Sequence, residues 1–493
     1  MSARGVMASE LAGAVAVAEP RLVGEDRLVQ DLVHDSRDVI AGAGFIAIRG
    51  AAVDGHNFVG EACAAQASLV VVDHEIDSSC PQLIVDDTRR RMAELAAAVH
   101  GYPATELRLV GVTGTNGKTT VTHMLEAIVD AAGGVPGIVG TVGAHIGGEV
   151  VPLARTTPEA TDLHRLLRRM VDEAVTLAAL EVSSHALVYG RADAIVFDVA
   201  AFTNLSQDHL DFHQTMEDYY AAKAELFTER RARHAVIWVD DPAGARLAAE
   251  TRLPVTTVGF GAGGAHDVSG EVAGWEMGRT AMTLHIGTES SSVNVSLAGR
   301  FNAANALVAA AVARRFGYRP DAIVAGLEAL PPVPGRFEQV AADREFAVVV
   351  DYAHTPDAVV NSIATAAEIT GGRVIAIVGS AGDRDPAKRP LMGRAAATAD
   401  IAVITSDNPR SEDPTMLVEQ VLAGAGGRSA SVLADVDRRS AIRTAIGLAE
   451  PGDIVLILGK GHEPYQEFAD GTIDFDDRVV AAEELAATGG GTA

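Results

Sequence analysis

The sequence predicts an α/β protein of three domains, and three observations carry that reading. The chain has 493 residues, too many for one hydrophobic core. Through its middle and last third, apolar strand-like runs alternate with helical patterns, as in parallel sheets wrapped by helices. Between one such run and a helical segment lies "GVTGTNGKTT" at 111–120, a glycine-rich turn where the chain can approach a ligand with its backbone.

Block 1–103 mixes short apolar runs, "GFIAIRG" and "SLVVVD", with a helical "RRRMAELAAAVHG" that stops at "YP". Block 104–331 opens with the strand-like "LRLVGV", runs through the glycine turn, and continues as a helix from 119 to about 132. Its further strands are "VTLAALEV", "AIVFDVAAF" and "HAVIWV"; from 267 to 297 the alternation predicts a small antiparallel appendage, followed by the helix "FNAANALVAAAVARRFG". The stretch "LPPVPGRFE" at 330–338 marks the second boundary. Block 332–493 reads as Rossmann-like: "FAVVVDYAH", "GRVIAIVGSAG", "DIAVITSDNP" and "DIVLILGKGHE" are strands running into polar or glycine-rich loops, on the side where open α/β sheets bind ligands. The tail "GGGTA" is expected to be disordered.

A net charge of -26 repels polyanions over most of the surface, and 4% aromatic residues leave few stacking platforms, so nucleic acid is excluded as a partner. Cys63 and Cys80 are the only cysteines, too few for a disulfide scaffold and in keeping with a reducing cytosol. Glu10 and Glu19 bracket the first Ala/Val run, which argues against a signal peptide. No apolar stretch approaches bilayer length, so a cytoplasmic location without membrane association is expected.

A phosphate cradle needs inward N–H groups, a helix N-terminus, a lysine and a hydroxyl for Mg²⁺. Gly114, Gly117, Lys118 and Thr119 supply these, although Val112 stands where the usual Walker pattern has its first glycine. The plain alternative is a turn with a solvated lysine; the strand before and helix after favour phosphate. In "EVSSH", 181–185, Glu181 is placed to hold Mg²⁺ and the next side chains to face a substrate, unless it is only a solvated turn residue. "FTNLSQDHLDFH", 202–213, offers His209 as a metal ligand or a surface histidine. Lys223, in "YYAAKAELF", is by default a solvated lysine.

Taken in order, "TGTNGKT", "EVSSH", "TNLSQDHLDFH", "YYAAKAELF", "GRFNAANALVA", "PGRFE" and "DYAHTPD" resemble the Mur ligases, ATP-dependent amide-forming enzymes of peptidoglycan synthesis, over essentially the whole chain. The resemblance implies a P-loop ATPase-like central domain (104–331) that binds ATP, an N-terminal domain (1–103) that binds a UDP-linked substrate, and a C-terminal domain (332–493) that binds the incoming amino acid. Thr113, Gly114, Thr115, Asn116, Gly117, Lys118 and Thr119 then hold ATP phosphates. Asn302 contacts adenine, while Arg336 and Asp351 close over the nucleotide. Thr119 with Glu181 holds one Mg²⁺ and a carbamylated Lys223 with His209 a second, with Lys118, Lys223 and His209 catalytic.

The C-terminal runs "GDRDPAKRPLMG", "SDNPRSEDP" and "GKGHEPYQ" resemble the MurE type. That implies meso-diaminopimelate binding by Arg384, Asp407, Asn408, Pro409, Arg410, Gly459 and Glu463. UDP-N-acetylmuramoyl-L-alanyl-D-glutamate is then bound by Ser36, Thr156, Thr157, Ser183 and Arg191, and the enzyme is expected to act as a monomer. Arg155 and Tyr189 occupy positions where some relatives have Asn and Gln. The alternatives are a lysine-adding MurE type, a folylpolyglutamate synthetase, or, in a different class, a P-loop motor or regulatory ATPase.

Overall fold

A computed structural model of the protein describes residues 5–15, 19–50, 53–341, 344–426 and 431–489, with no side-chain description for 488–489; the "GGGTA" tail beyond Gly489 lies outside them. Among the described residues, three sheets of five or more strands organise the chain. The first runs Arg21–Val23, Gln82–Ile84, Leu69–Val72, Ala43–Ile46, Asp31–Val33, parallel except at its first strand. Helix Thr88–Val99, capped by Asp87, covers it and buries Met92, Leu95 and Val99 against Ile46, Leu69 and Val71. Cys63 and Cys80 here are joined by a disulfide, with Cα atoms 5.7 Å apart, a pairing the sequence reading did not anticipate.

The second sheet has eleven strands, and Leu109–Thr113 lies near its middle between Leu177–Glu181 and Val199–Phe202, all parallel. Three strand ends therefore open at one point, which brings the loops after 113, 181 and 202 together. The antiparallel segment expected at 267–297 is Val268–Glu276, Arg279–Ile286 and Glu289–Val295. It continues the main sheet through parallel pairing of Val268 with Val258. The opposite edge ends in a hairpin, Gly143–Ile146 with Glu149–Val151, turned by Gly147-Gly148. Helix Arg300–Arg315 is alanine-rich because its buried face packs closely on both the sheet and helix Lys118–Ala131.

The third sheet is ordered Glu338–Ala341, Ala347–Asp351, Ile454–Leu458, Val374–Val378, Ile401–Ile404, Ser431–Ala434, its last five strands parallel. Both faces are apolar and covered. Arg438, fully buried, donates to both oxygens of Asp477 (2.8 and 2.7 Å) and to the carbonyls of Ser406 and Leu458 (each 3.1 Å). It thereby clamps the ends of two strands where their loops begin. Arg438→Ala strands the Asp477 carboxylate and is expected to destabilise this domain by about 3–5 kcal/mol. Denaturant unfolding followed by circular dichroism measures it, and a change under about 1 kcal/mol contradicts the clamp. Among the described residues no helix is long and apolar enough to cross a membrane.

Candidate active site

No side chain caps helix Lys118–Ala131, which leaves the N–H groups of its first turn available to an anion. Gly117 starts it at φ 87°, and a Cβ there would collide with Asn305 Oδ1. Gly114, at φ 152°, leaves no room for a Cβ against Thr203 Oγ1, which is why glycine stands here. The 203–206 segment secures the turn: Asn116 N donates to Asn204 Oδ1 (2.9 Å), Thr203 Oγ1 to Asn116 O (2.6 Å), and Ser206 N to Thr115 Oγ1 (3.0 Å). Lys118 arches over it and donates from Nζ to the Gly114 and Thr115 carbonyls, each at 2.9 Å. Burial lowers its pKa, against the pull of the Glu181 and Asp208 charges.

Glu181 ends the neighbouring strand, its carboxylate accepting from Thr141 N and Oγ1, each at 2.9 Å. Thr119 Oγ1 accepts from Arg336 Nη2 at 2.9 Å, so an arginine of the third sheet's entry segment already reaches the phosphate turn. Asp351, expected at the nucleotide, is buried with its oxygens engaged by Phe337 N (2.7 Å), Ala353 N (3.0 Å) and Ser362 Oγ (3.1 Å). It fixes the turn that presents Arg336; burial raises its pKa and the Arg336 charge opposes this.

Lys223 is buried, not solvated: Nζ donates to Gly114 O at 2.8 Å and lies 4.5 Å from the Tyr219 ring centre. Burial, then the Lys118 charge, hold its pKa well below the usual lysine value. His209 has φ 54° and packs edge-on against His185, ring centres 4.8 Å apart. Burial outweighs the Asp208 carboxylate and pushes the His209 pKa down to about 3, so the ring is neutral and has a lone pair to give. The Thr119 hydroxyl and Glu181 carboxylate are oxygen donors of the kind Mg²⁺ takes, and the oxygens a carbamate would add to Lys223 would, with the His209 imidazole, suit a second ion.

Asp208 is the residue that sequence reasoning passed over. Lys388 Nζ donates to it at 3.1 Å and His354 Nε2 lies 3.5 Å away, both from the third sheet's domain. Burial alone would raise its pKa; His354 and Lys388 outweigh that and hold it well below the carboxylate range. This charge cluster joins the two halves of the cleft. Lys388→Ala removes its strongest cation and is expected to cost about 2–5 kcal/mol of closure, read as a larger radius of gyration in small-angle X-ray scattering. An unchanged radius contradicts it.

A cavity of about 340 Å³ beside Gly117 is lined by Asn116, Asn204, Trp238, Phe260, Phe301 and Asn305, among others. Asn302 is buried behind it, donating to Ala298 O (2.8 Å) and accepting from Asn305 (3.3 Å), so Asn305 rather than Asn302 faces this space.

A larger cavity, about 830 Å³, lies between the second and third sheets and gathers most expected site residues. Lys118, Thr119, Glu181, His209 and Arg336 line one side, with Thr156 and Ser183; Arg384, Asp407, Asn408, Arg410, Gly459 and Glu463 line the other. Thr157 and Arg191 lie behind it: Thr157 Oγ1 donates to Glu181 O (2.8 Å), and Arg191 to Glu159 (3.0 Å) and Thr157 O (3.3 Å). Tyr189 lies against the Arg89 and Arg191 guanidinium groups, and Arg155 reaches the cavity rim. Ser36 does not join them; its hydroxyl faces Glu61 at 3.4 Å in the first sheet's domain.

In the far pocket Lys460, fully buried and not anticipated, donates to Asn408 Oδ1 (3.1 Å) and Glu463 (3.2 Å), while Asn408 Nδ2 donates to Glu463 (2.8 Å). Pro409 O accepts from Glu412 N and closes the turn at 3.1 Å. Arg410, at φ 55°, donates from Nε to Glu467 (3.0 Å) and from Nη1 to Gly382 O (2.7 Å).

Residues 29–100, 112–313 and 335–461 match, in that order, models described as "Mur ligase family, catalytic domain", "Mur ligase middle domain" and "Mur ligase, glutamate ligase domain". The chain belongs to the Mur ligase family. Within it, the chain is 44% identical over 458 residues to the UDP-N-acetylmuramoyl-L-alanyl-D-glutamate--2,6-diaminopimelate ligase of Geobacillus kaustophilus (strain HTA426), covering 91% of this chain and 93% of that one. It is 43% identical to the ligase of the same name from Streptomyces coelicolor, over 98% of this chain and 97% of the relative. A solved structure of a UDP-N-acetylmuramoyl-L-alanyl-D-glutamate--2,6-diaminopimelate ligase superposes with TM-score 0.66 at 30% identity, covering 98% of this chain and 99% of that one.

Proposed function

We infer that the protein is the ATP-dependent, ADP-forming ligase that adds meso-diaminopimelate to UDP-N-acetylmuramoyl-L-alanyl-D-glutamate in peptidoglycan synthesis, acting in the cytoplasm as a monomer. The observation that carries this reading is one cavity with a phosphate turn on one wall and an arginine-bearing amino-acid pocket on the other. Domains 1–103, 104–331 and 332–493 take the UDP moiety, ATP and the amino acid respectively.

The γ-carboxylate of the D-glutamyl residue attacks the γ-phosphorus of ATP; ADP leaves and an acyl phosphate forms. The free amine of diaminopimelate attacks the acyl carbon, and the tetrahedral adduct loses an N–H proton and expels phosphate, which carries away the C–O bonding pair, leaving an amide. Lys118 and the first-turn amides neutralise the transferring phosphoryl group, and Arg336 approaches it from the other domain. Thr119 with Glu181, and His209 with carbamylated Lys223, would hold Mg²⁺, which would supply charge neutralisation of the phosphate oxygens. Closure across Asp208, His354 and Lys388 keeps water from the acyl phosphate.

ADP release is expected only with the UDP-dipeptide and the amino acid both present. ATP turnover with neither places the protein among hydrolytic P-loop ATPases instead. Lys118→Ala is expected to lower kcat at least about 10²-fold, a cost of about 3–4 kcal/mol, in a normally folded protein. Near-normal turnover moves the nucleotide site elsewhere.

A further inference from the structure

On the sheet-edge side of the phosphate-turn helix, outside the cavity described above, His123 and Glu126 stand three residues apart and so share a face. Strand Gly143–Ile146, one in from the sheet edge, brings His145 against them, and one ligand atom from each lies within 4.8 Å of the others. His123 is buried, and its Nδ1 is 2.8 Å from the carbonyl of Thr119, which can only accept. Nδ1 therefore carries the proton and Nε2 is a bare lone pair. That Nε2 is buried without a hydrogen-bond partner among the described residues. The His145 ring meets the His123 ring edge to face, centres 5.3 Å apart, while His145 Nδ1 is 2.7 Å from Glu126 Oε1. Glu126 and His145 line a groove of about 590 Å³, giving an ion and its water a path in.

We propose that His123, Glu126 and His145 form a binding site for a divalent transition-metal ion such as Zn²⁺, with a fourth position open to water from the groove. Two imidazoles and a carboxylate are a Zn²⁺ donor set, whereas Mg²⁺ selects oxygen ligands. An imidazole whose second nitrogen donates to a backbone carbonyl has the second-sphere support found at metal-ligating histidines. Metal–ligand bonds of about 2.0–2.1 Å need ligand atoms roughly 3.3 Å apart. The three ligand atoms lie within 4.8 Å of one another, so binding would require the part-buried Glu126 and His145 side chains to rotate toward that spacing. Through the His123–Thr119 link the ion is tied to the first turn of the phosphate helix, on the side away from the nucleotide.

The test is calorimetric titration of the metal-free full-length protein with Zn²⁺, paralleled by visible absorption with Co²⁺. The wild type is expected to take one equivalent that gives tetrahedral Co²⁺ absorption and that excess Mg²⁺ does not displace. His145→Ala and Glu126→Gln, both at part-buried positions, each weaken that equivalent at least about 10-fold. His74→Ala, which breaks the His56, Asp73 and His74 group on the first sheet, retains it. The proposal is overturned if His145→Ala binds Zn²⁺ with wild-type stoichiometry and affinity, if His74→Ala is the variant that loses the equivalent, or if the wild type binds none.

Discussion

Lys223→Ala is expected to abolish ligation, and a small carboxylate such as acetate to restore part of it. An amine adds to CO₂ only when neutral, losing a proton as the N–C bond forms. Burial and the neighbouring Lys118 charge favour that neutral form of Lys223. The product keeps one N–H, so the bond to Gly114 O survives while two oxygens are gained for a metal. Removing this charge-stabilising group costs at least about 10²–10³-fold in kcat. Bicarbonate labelled with ¹³C should give a carbamate NMR signal in wild type and none in Lys223→Ala. Because burial and the Lys118 charge lower the lysine pKa in the folded protein, the neutral amine persists to lower pH than in a free lysine and is lost only near the lowered pKa. The signal is therefore expected to survive below the pH at which a solvent-exposed lysine loses its carbamate, and to fade only on further acidification. Full activity in Lys223→Ala, or an uncarbamylated amine in the active enzyme, contradicts this assignment.

The second large effect is selection of the amino acid. Lysine and meso-diaminopimelate share a chain and two amines and differ by the distal carboxylate. Arg410 lines the pocket with a left-handed backbone, its Nε tied to Glu467 and one Nη1 proton to Gly382 O. Those contacts hold the guanidinium plane still and leave Nη2 and the other Nη1 proton for a carboxylate. The Nε edge of the fork is taken by Glu467, so Arg384, on the same wall, is expected to share the task. Arg410 is part-buried, and a site built to hydrogen-bond a substrate group rejects the analogue lacking it by as much as about 10⁴–10⁵-fold. That ratio of kcat/KM is expected for wild type with meso-diaminopimelate over lysine, and Arg410→Ala should lose most of it together with most activity. Equal use of lysine by wild type, or full discrimination in Arg410→Ala, removes Arg410 from this role.

Much of this was legible because the relevant signals are local. The turn at 111–120 announces itself by glycine spacing between a strand and a helix, and the apolar runs of the third sheet end in polar loops on one side. Contacts between distant residues were not legible. Asp208 and Lys388 lie 180 positions apart, and nothing in "DHLDFH" or "DPAKRP" says that they meet. Nothing local singles out Lys460, because its burial and its pairing with Asn408 and Glu463 depend on the sheet order. Asn302 and Asn305 share one helix, and only packing decides which faces the cavity. The 143–151 hairpin had a local signal, Gly147-Gly148 between short apolar runs, that the reading did not use.

The central claim is that ATP activates a carboxylate which an amine then captures, and the fate of one oxygen tests it most directly. UDP-N-acetylmuramoyl-L-alanyl-D-glutamate labelled with ¹⁸O in the γ-carboxylate, incubated with ATP, Mg²⁺ and meso-diaminopimelate, should yield the amide-linked tripeptide product and inorganic phosphate carrying one ¹⁸O atom, because the carboxylate oxygen that attacks phosphorus departs with it. Mass spectrometry of the phosphate reads this outcome. Unlabelled phosphate alongside ADP, with no amide formed, would mean that water is the acceptor and that the chain hydrolyses ATP rather than ligating.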